Sequence, residues 1–313
     1  NVGYDVSEGR GTTFVSDSAA SAYAPGGVGG QNNKYRQQRI NTVFDFYLNY
    51  NKQFDKIKSR VDATAGYSYN NFLATNYFYA SYNAQGVKYP NSDPAFPFDK
   101  PENTLVSFFG RLNYTYNDKY LLTATVRRDG FSGFSKNNKS AIFPTAALGW
   151  IISSENFMRN VKPVNFLKLR VGYGVSGNQT SAFSSLALVG VNSAYVFGNG
   201  SNTAFGQQVT SLGNDDLKWE RTIGVNVGID FTMFNSRLTG NLEYYDNNTF
   251  DLLFDVPLPT LTGFNLIRTN LGQINNKGFE AGLTYKIIDK KKFSWSASLN
   301  VWFNNNKVVK LTG

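Results

Sequence analysis

From about Ile40 to Phe303 the chain alternates apolar and polar residues in a series of short runs. The clearest spans residues 43–50, where Phe44, Phe46, Leu48 and Tyr50 share one phase and Asp45 and Asn49 share the other. Successive side chains of a strand point to opposite faces, so such a run has one apolar side and one wet side. After a polar stretch at 51–53, Val61, Ala63, Ala65, Tyr67 and Tyr69 alternate with Arg60, Asp62, Thr64 and Ser68. The same two phases return in residues 107–116, 120–127, 146–152, 167–176, 219–231, 238–244, 279–285 and 294–303. Cations such as Lys168 and Arg170 fall in the wet phase, where a water-filled lumen tolerates them. The periodicity predicts about ten strands.

The connections between these runs alternate in length. Those at 51–56, 117–118, 233–236 and 289–292 are short, whereas those at 70–103, 178–216 and 247–275 are long. Short periplasmic turns and long external loops are the pattern of a transmembrane β-barrel, and Asn117-Asp118 is hairpin turn chemistry. One short connection differs: residues 153–158, followed by Lys162-Pro163, predict a single helical turn with serine capping on the periplasmic side. Residues 1–34, rich in Gly, Ser and Ala and carrying Pro25-Gly26-Gly27, predict an external loop segment, which leaves residues 35–313 as barrel wall. The expected fold class is all-β, an antiparallel transmembrane β-barrel segment of up-and-down strands. The last strand rises into residues 304–313, an unusual place for a barrel to end, and Asn1-Val2-Gly3 does not open a signal peptide. The pattern therefore predicts a mature or truncated chain, a partial wall with no plug domain.

Composition agrees with this picture and narrows the chemistry. The 313 residues include 26 Phe and 19 Tyr. Mean hydropathy is nevertheless slightly negative, as expected when only alternate residues meet lipid. No apolar run approaches the roughly 20 residues of a membrane-spanning helix. The net charge of +9 is spread over wet-face positions and turns, apart from Lys290 to Lys292, which argues against nucleic acid as a partner. Without His or Cys the chain has no Ser-His triad and no thiolate nucleophile or ligand, so no enzyme, metal site or cofactor is expected.

Several segments form distinctive strings beyond simple alternation. They are Asn103-Thr104-Leu105-Val106-Ser107-Phe108-Phe109-Gly110-Arg111-Leu112-Asn113-Tyr114, Ala124-Thr125-Val126-Arg127-Arg128-Asp129-Gly130 and Phe143-Pro144-Thr145-Ala146-Ala147-Leu148-Gly149-Trp150. Leu167-Lys168-Leu169-Arg170-Val171-Gly172-Tyr173-Gly174, Leu217-Lys218-Trp219-Glu220 and Asn276-Lys277-Gly278-Phe279-Glu280 continue the series. Together, and in this order, these strings resemble the SusC/RagA family of TonB-dependent outer-membrane transporters, and the resemblance implies a wall segment of a barrel closed by about 22 strands around a plug. It also implies opening by the inner-membrane TonB complex, a SusD-like surface lipoprotein as lid, and outer-membrane import of a glycan or peptide, mostly in Bacteroidota. The alternative is a passive structural or adhesive outer-membrane barrel that transports nothing.

The candidate site residues each have two readings. Tyr77, Tyr79 and Tyr82, with Phe78, Phe96 and Phe98 in the same long loop, suit stacking on sugar rings or peptide side chains, or packing of the loop on itself, on a plug or on a lid. Tyr195 and Phe197 carry the same ambiguity. Arg127 and Arg128, beside Asp129, suit anion contact or inter-strand salt bridging. Trp150, Trp219 and Trp295 are expected in the interfacial girdle that contacts outer-membrane lipid at headgroup level. Gly172-Tyr173-Gly174-Val175-Ser176-Gly177 matches a dinucleotide-binding string but lacks the helix that must follow it. Asp215-Asp216 and the Glu220/Asp230 pair read as solvated charge before they read as glycosidase or calcium chemistry.

Overall fold

The computed structural model describes residues 1–20, 29–197 and 202–311, so the Pro25-Gly26-Gly27 stretch lies outside the described residues. In chain order the strands are β1 (Val2–Val15), β2 (Gln31–Phe54), β3 (Ser59–Tyr77), β4 (Phe98–Asp99), β5 (Glu102–Tyr116), β6 (Tyr120–Phe131), β7 (Ser140–Ile151) and β8 (Val164–Asn178). They continue as β9 (Leu188–Phe197), β10 (Asn202–Ser211), β11 (Glu220–Met233), β12 (Leu238–Phe250), β13 (Leu253–Pro257), β14 (Leu266–Asn270), β15 (Gln273–Lys290) and β16 (Phe293–Lys310). A twelve-stranded antiparallel sheet runs β1-β2-β3-β5-β6-β7-β8-β11-β12-β15-β16, with β4 paired to β3 off that path. The meander places each strand beside its predecessor in the wall, and β1 and β16 are the edges.

Register carries one apolar face across the sheet. Phe46 lies opposite Tyr67, and Tyr67 opposite Phe108. Leu122 opposes Leu148, Leu148 opposes Val171, and Val171 opposes Val227. Val227 opposes Tyr244, Tyr244 opposes Phe279, and Phe279 opposes Phe303. Leu48, Leu148 and Phe303 are 64%, 59% and 67% exposed. So large an uncovered apolar face is stable only where its solvent is lipid. No helix among the described residues is long and apolar enough to cross a membrane.

The short turns show the chemistry their sequences suggest. Asn117 and Asp118 both have positive φ, the geometry of a type I′ hairpin whose twist matches that of the flanking strands. Apart from β4, the strands of the large sheet have 12 to 24 residues, more than the roughly 9–11 needed to cross a bilayer. Within the long loops β9 pairs β10 and β13 pairs β14 as separate two-stranded sheets.

Two expectations are corrected. Residues 2–15, predicted as loop, form β1 and pair residue for residue with β2 from Val2 opposite Phe44 to Val15 opposite Gln31. Much of β1 is glycine-rich and polar on both faces, so its stability comes from the ladder and its period is weak. Only Val2, Tyr4 and Val6 alternate. The serine cap at 153–158 is absent as well. The segment is two 3-10 turns, Ile152–Ser154 and Asn156–Met158, with no side-chain cap bond, and Glu155 stands between them.

Candidate functional site

The lumen face is a hydrogen-bonded lattice of polar side chains. Ser68 Oγ donates to Asp45 at 2.6 Å, Thr64 Oγ1 to Asn49 at 2.7 Å, and Thr123 Oγ1 to Asn113 at 2.9 Å. Its strongest node is Arg170, whose guanidinium grips Asp230 through two bonds of 2.8 and 3.0 Å and reaches Glu243 at 3.4 Å. Asn226 donates to the other oxygen of Glu243. Gly228 lies between Arg170 and Glu243 in register, and a Cβ there would stand 2.8 Å from Arg170 Nη2. A glycine at that position lets the guanidinium lie flat across β11 to reach a carboxylate on β12. A bidentate pair of this kind fixes geometry as well as charge.

Beside this node the wall is hollowed by about 560 Å³, between Thr145, Gly172, Gly174, Gly224, Asn226 and Asn247. A side chain at Gly172 would meet nothing nearer than 4.0 Å, so its absence opens the hollow, whereas Asn247 lies over Gly224. Gly172 and Gly174 of the dinucleotide-like string therefore serve the lumen wall inside β8, Gly177 lies against the Phe143 ring, and no helix follows them.

The external rim is tied down by a cluster of buried apolar residues, Phe131, Phe134, Phe143, Leu217 and Trp219. It packs the β6–β7 loop against the approach to β11. Trp219 is 5% exposed, its ring lies 5.2 Å from Phe134 and 5.4 Å from Phe143, and its Nε1 donates to the Lys139 carbonyl at 3.1 Å. The girdle role expected of Trp219 is thus overturned: it precedes the first residue of β11, where the chain turns inward over Phe143. Asp251 accepts from Lys218 and Arg221, each at 3.0 Å. Asp255 pairs twice with Arg268 at 2.7 Å, and that guanidinium holds its carboxyl below the usual range.

At the periplasmic end Trp150 stacks on Tyr120, and Tyr120 on Tyr116, all on the apolar face. Glu155 gathers this group. It accepts from Lys119 at 2.9 Å, from Tyr120 Oη at 2.7 Å and from Trp150 Nε1 at 3.1 Å, and its side chain is 14% exposed. Those bonds, Lys119's foremost, bring its carboxyl from 4.5 to about 2. A depressed carboxyl adds stability above its ordinary pKa, and that stability is lost as the pH falls through the folded value. Acidification from about pH 5 to about pH 2 is expected to release Trp150, read as a change in tryptophan emission that the Glu155→Gln variant lacks.

The remaining candidates separate. Tyr77 ends β3 under the Arg36 guanidinium, 4.4 Å from its ring centre, and edge-on to Phe98. Tyr79 is 41% exposed. Tyr82 forms a bridge with Lys88, and its backbone nitrogen donates to Asn33. Arg127 faces the lumen, bonded to Asp129 and Ser107 at 2.7 Å each. Arg128 takes the opposite face, in register with Phe108 and Ile142, so the two arginines do not form one cluster. Trp295 is 54% exposed near the periplasmic end of β16. Tyr195 and Phe197 lie in β9 opposite Ala204 and Asn202, and their side chains lie outside the described residues. No group of three or more acidic residues among the described residues is arranged to hold a metal. Sequence reasoning missed Glu155, Arg36 and Asp251. For Glu155 a signal existed, since Lys119 and Glu155 flank the two stacked aromatics Tyr120 and Trp150.

A meandering antiparallel wall with a lipid face, a polar lumen face, short turns at one end and long tied loops at the other is the wall of an outer-membrane β-barrel. Residues 1–308 match the TonB dependent receptor-like β-barrel family, and the chain belongs to it. TonB-dependent receptor P39 of Formosa agariphila is 38% identical over 291 residues, which are 88% of this chain and 27% of that protein. TonB-dependent receptor SusC of Bacteroides thetaiotaomicron is 43% identical over 214 residues, 67% of this chain and 21% of that protein. The solved RagAB peptide transporter aligns with a TM-score of 0.82 and 26% identity over 99% of this chain and 34% of that chain. The chain thus spans well under two thirds of the length of the relatives it matches.

Proposed function

We propose that the chain is a wall segment of a SusC-like, TonB-dependent importer that brings a large nutrient, a glycan or peptide, across the outer membrane. The carrying observation is the likeness to the SusC and RagAB barrels over most of this chain. In this reading β1 and β16 pair with further wall strands of a larger barrel, since each edge offers an open ladder. The lumen lattice around Arg170 forms one side of the conduit. A SusD-like surface lipoprotein closes over the external loops, and the TonB complex supplies the energy through parts of the protein outside this segment. Tyr79, with Tyr77, Tyr82, Tyr195 and Phe197, lies on loops or strand ends suited to ligand or lid contact, and Arg127 lies lower on the lumen face.

Uptake tests this reading. A strain lacking the gene is expected to lose accumulation of labelled oligosaccharides or of labelled peptides of a size that porins exclude. Restoring the gene should recover uptake only while the proton-motive force is intact. Uptake that survives deletion of the gene would overturn the proposal. Passive conductance that needs no energy would favour the structural or adhesive barrel instead.

A further inference from the structure

On the lipid face at the periplasmic end the wall has an apolar hollow of about 350 Å³, lined by Tyr114, Leu122, Leu148, Trp150, Leu169 and Val171. Its mouth meets the turn that Glu155 fastens, because Trp150 and Tyr120, both lipid-facing, donate to that carboxylate. The turn that follows is amphipathic. Phe157 and Val161 are 65% and 38% exposed, while Arg159 and Lys162 are exposed and have no carboxylate partner among the described residues. Glu155 is already engaged by Lys119, whereas Arg159 and Lys162 follow it in the same turn as exposed cations. The same sign prevails around the rim: the turns at 55–58, 117–119, 152–163, 234–237 and 289–292 hold nine cations against four carboxylates.

We propose that this corner is a binding site for an anionic phospholipid of the periplasmic leaflet. One acyl chain occupies the hollow, the ring of Trp150 lies at the level of the glycerol backbone, and Arg159 and Lys162 take the phosphate. Phe157 enters the leaflet beside it and holds the turn in the interface. Interfacial aromatics prefer this depth, and basic side chains attract anionic headgroups. A shared headgroup chemistry alone would make any phosphate a ligand; the hollow is what commits the site to a lipid. The inference rests on the outer-membrane placement of the wall, which heat-modifiable migration of the same protein tests separately.

The test uses the full-length protein, delipidated in detergent and offered phosphatidylglycerol or phosphatidylcholine, with native mass spectrometry counting the lipid retained. Phosphatidylglycerol is expected to be retained in preference. The R159Q/K162Q variant should weaken that retention by roughly fivefold for each charge removed. The remote K290Q/K291Q variant should leave it unchanged, and millimolar inorganic phosphate should not displace the lipid. Equal retention of the two lipids, equal loss in both double variants, or displacement by phosphate would each overturn the proposal. Should R159Q/K162Q lack the heat-modifiable band, the single R159Q variant and the lipid preference of the parent protein decide.

Discussion

Arginine at Leu48 or Val227 is expected to cost about 2–4 kcal/mol of membrane stability at each site and to deplete the folded barrel. Both residues lie in the outward register that runs from Leu48 across Ala65, and from Val171 across Val227 to Tyr244. Asn49→Arg places the same charge on the lumen face, where Asn49 accepts from Thr64, and should assemble almost as well as the parent protein. The measurement is the heat-modifiable band of the full-length protein after membrane isolation. Equal assembly of the three variants would refute the assignment of faces. Asn226 shares the lumen face but is a poor control, since it donates to Glu243 and an aspartate there would set two carboxylates against each other.

Trp219→Ala should have its largest effect at the other end of the wall. It removes a fully packed aromatic from a cluster whose other members are themselves buried, and it frees the Lys139 carbonyl. Large-to-small changes of this kind cost about 3–5 kcal/mol. The cluster sits at the external ends of β5 to β8 and in the loops beyond them, so the loss should be local. Limited proteolysis is expected to cut within residues 132–139 and 212–218 while the heat-modifiable band survives. Trp219→Phe should be milder, losing the bond to Lys139 while keeping most of the packing. A girdle tryptophan on the lipid face would give a different result, leaving the external loops as resistant as before.

These two residues show where a linear reading works and where it stops. Val227 and Trp219 fall in the same phase of one alternating run, yet one faces lipid and the other is buried at the external rim. Period-two alternation holds only while the chain remains a strand, and β11 begins at Glu220. In front of that residue the chain bends toward Phe143, and a partner 76 positions away in sequence decides what Trp219 touches. Arg127 and Arg128 teach the converse. Adjacent in sequence, they look like one cationic cluster, but neighbours along a strand point to opposite faces, and only Arg127 reaches Asp129 and Ser107.

By itself, then, the sequence determined the fold class, the family resemblance, the two faces and the short turns. Each of these depends on local rules: which side a residue takes in a pleated strand, which residues accept positive φ, and how far a run extends before a turn. Tertiary structure alone decided the pairing of β1 with β2, the engagement of Glu155 by Lys119, Tyr120 and Trp150, the Arg170–Asp230–Glu243 node and the burial of Trp219. Apart from Trp150 and Glu155, which lie five positions apart, these partners are distant in the chain, and their distances are set by register and by packing across the wall.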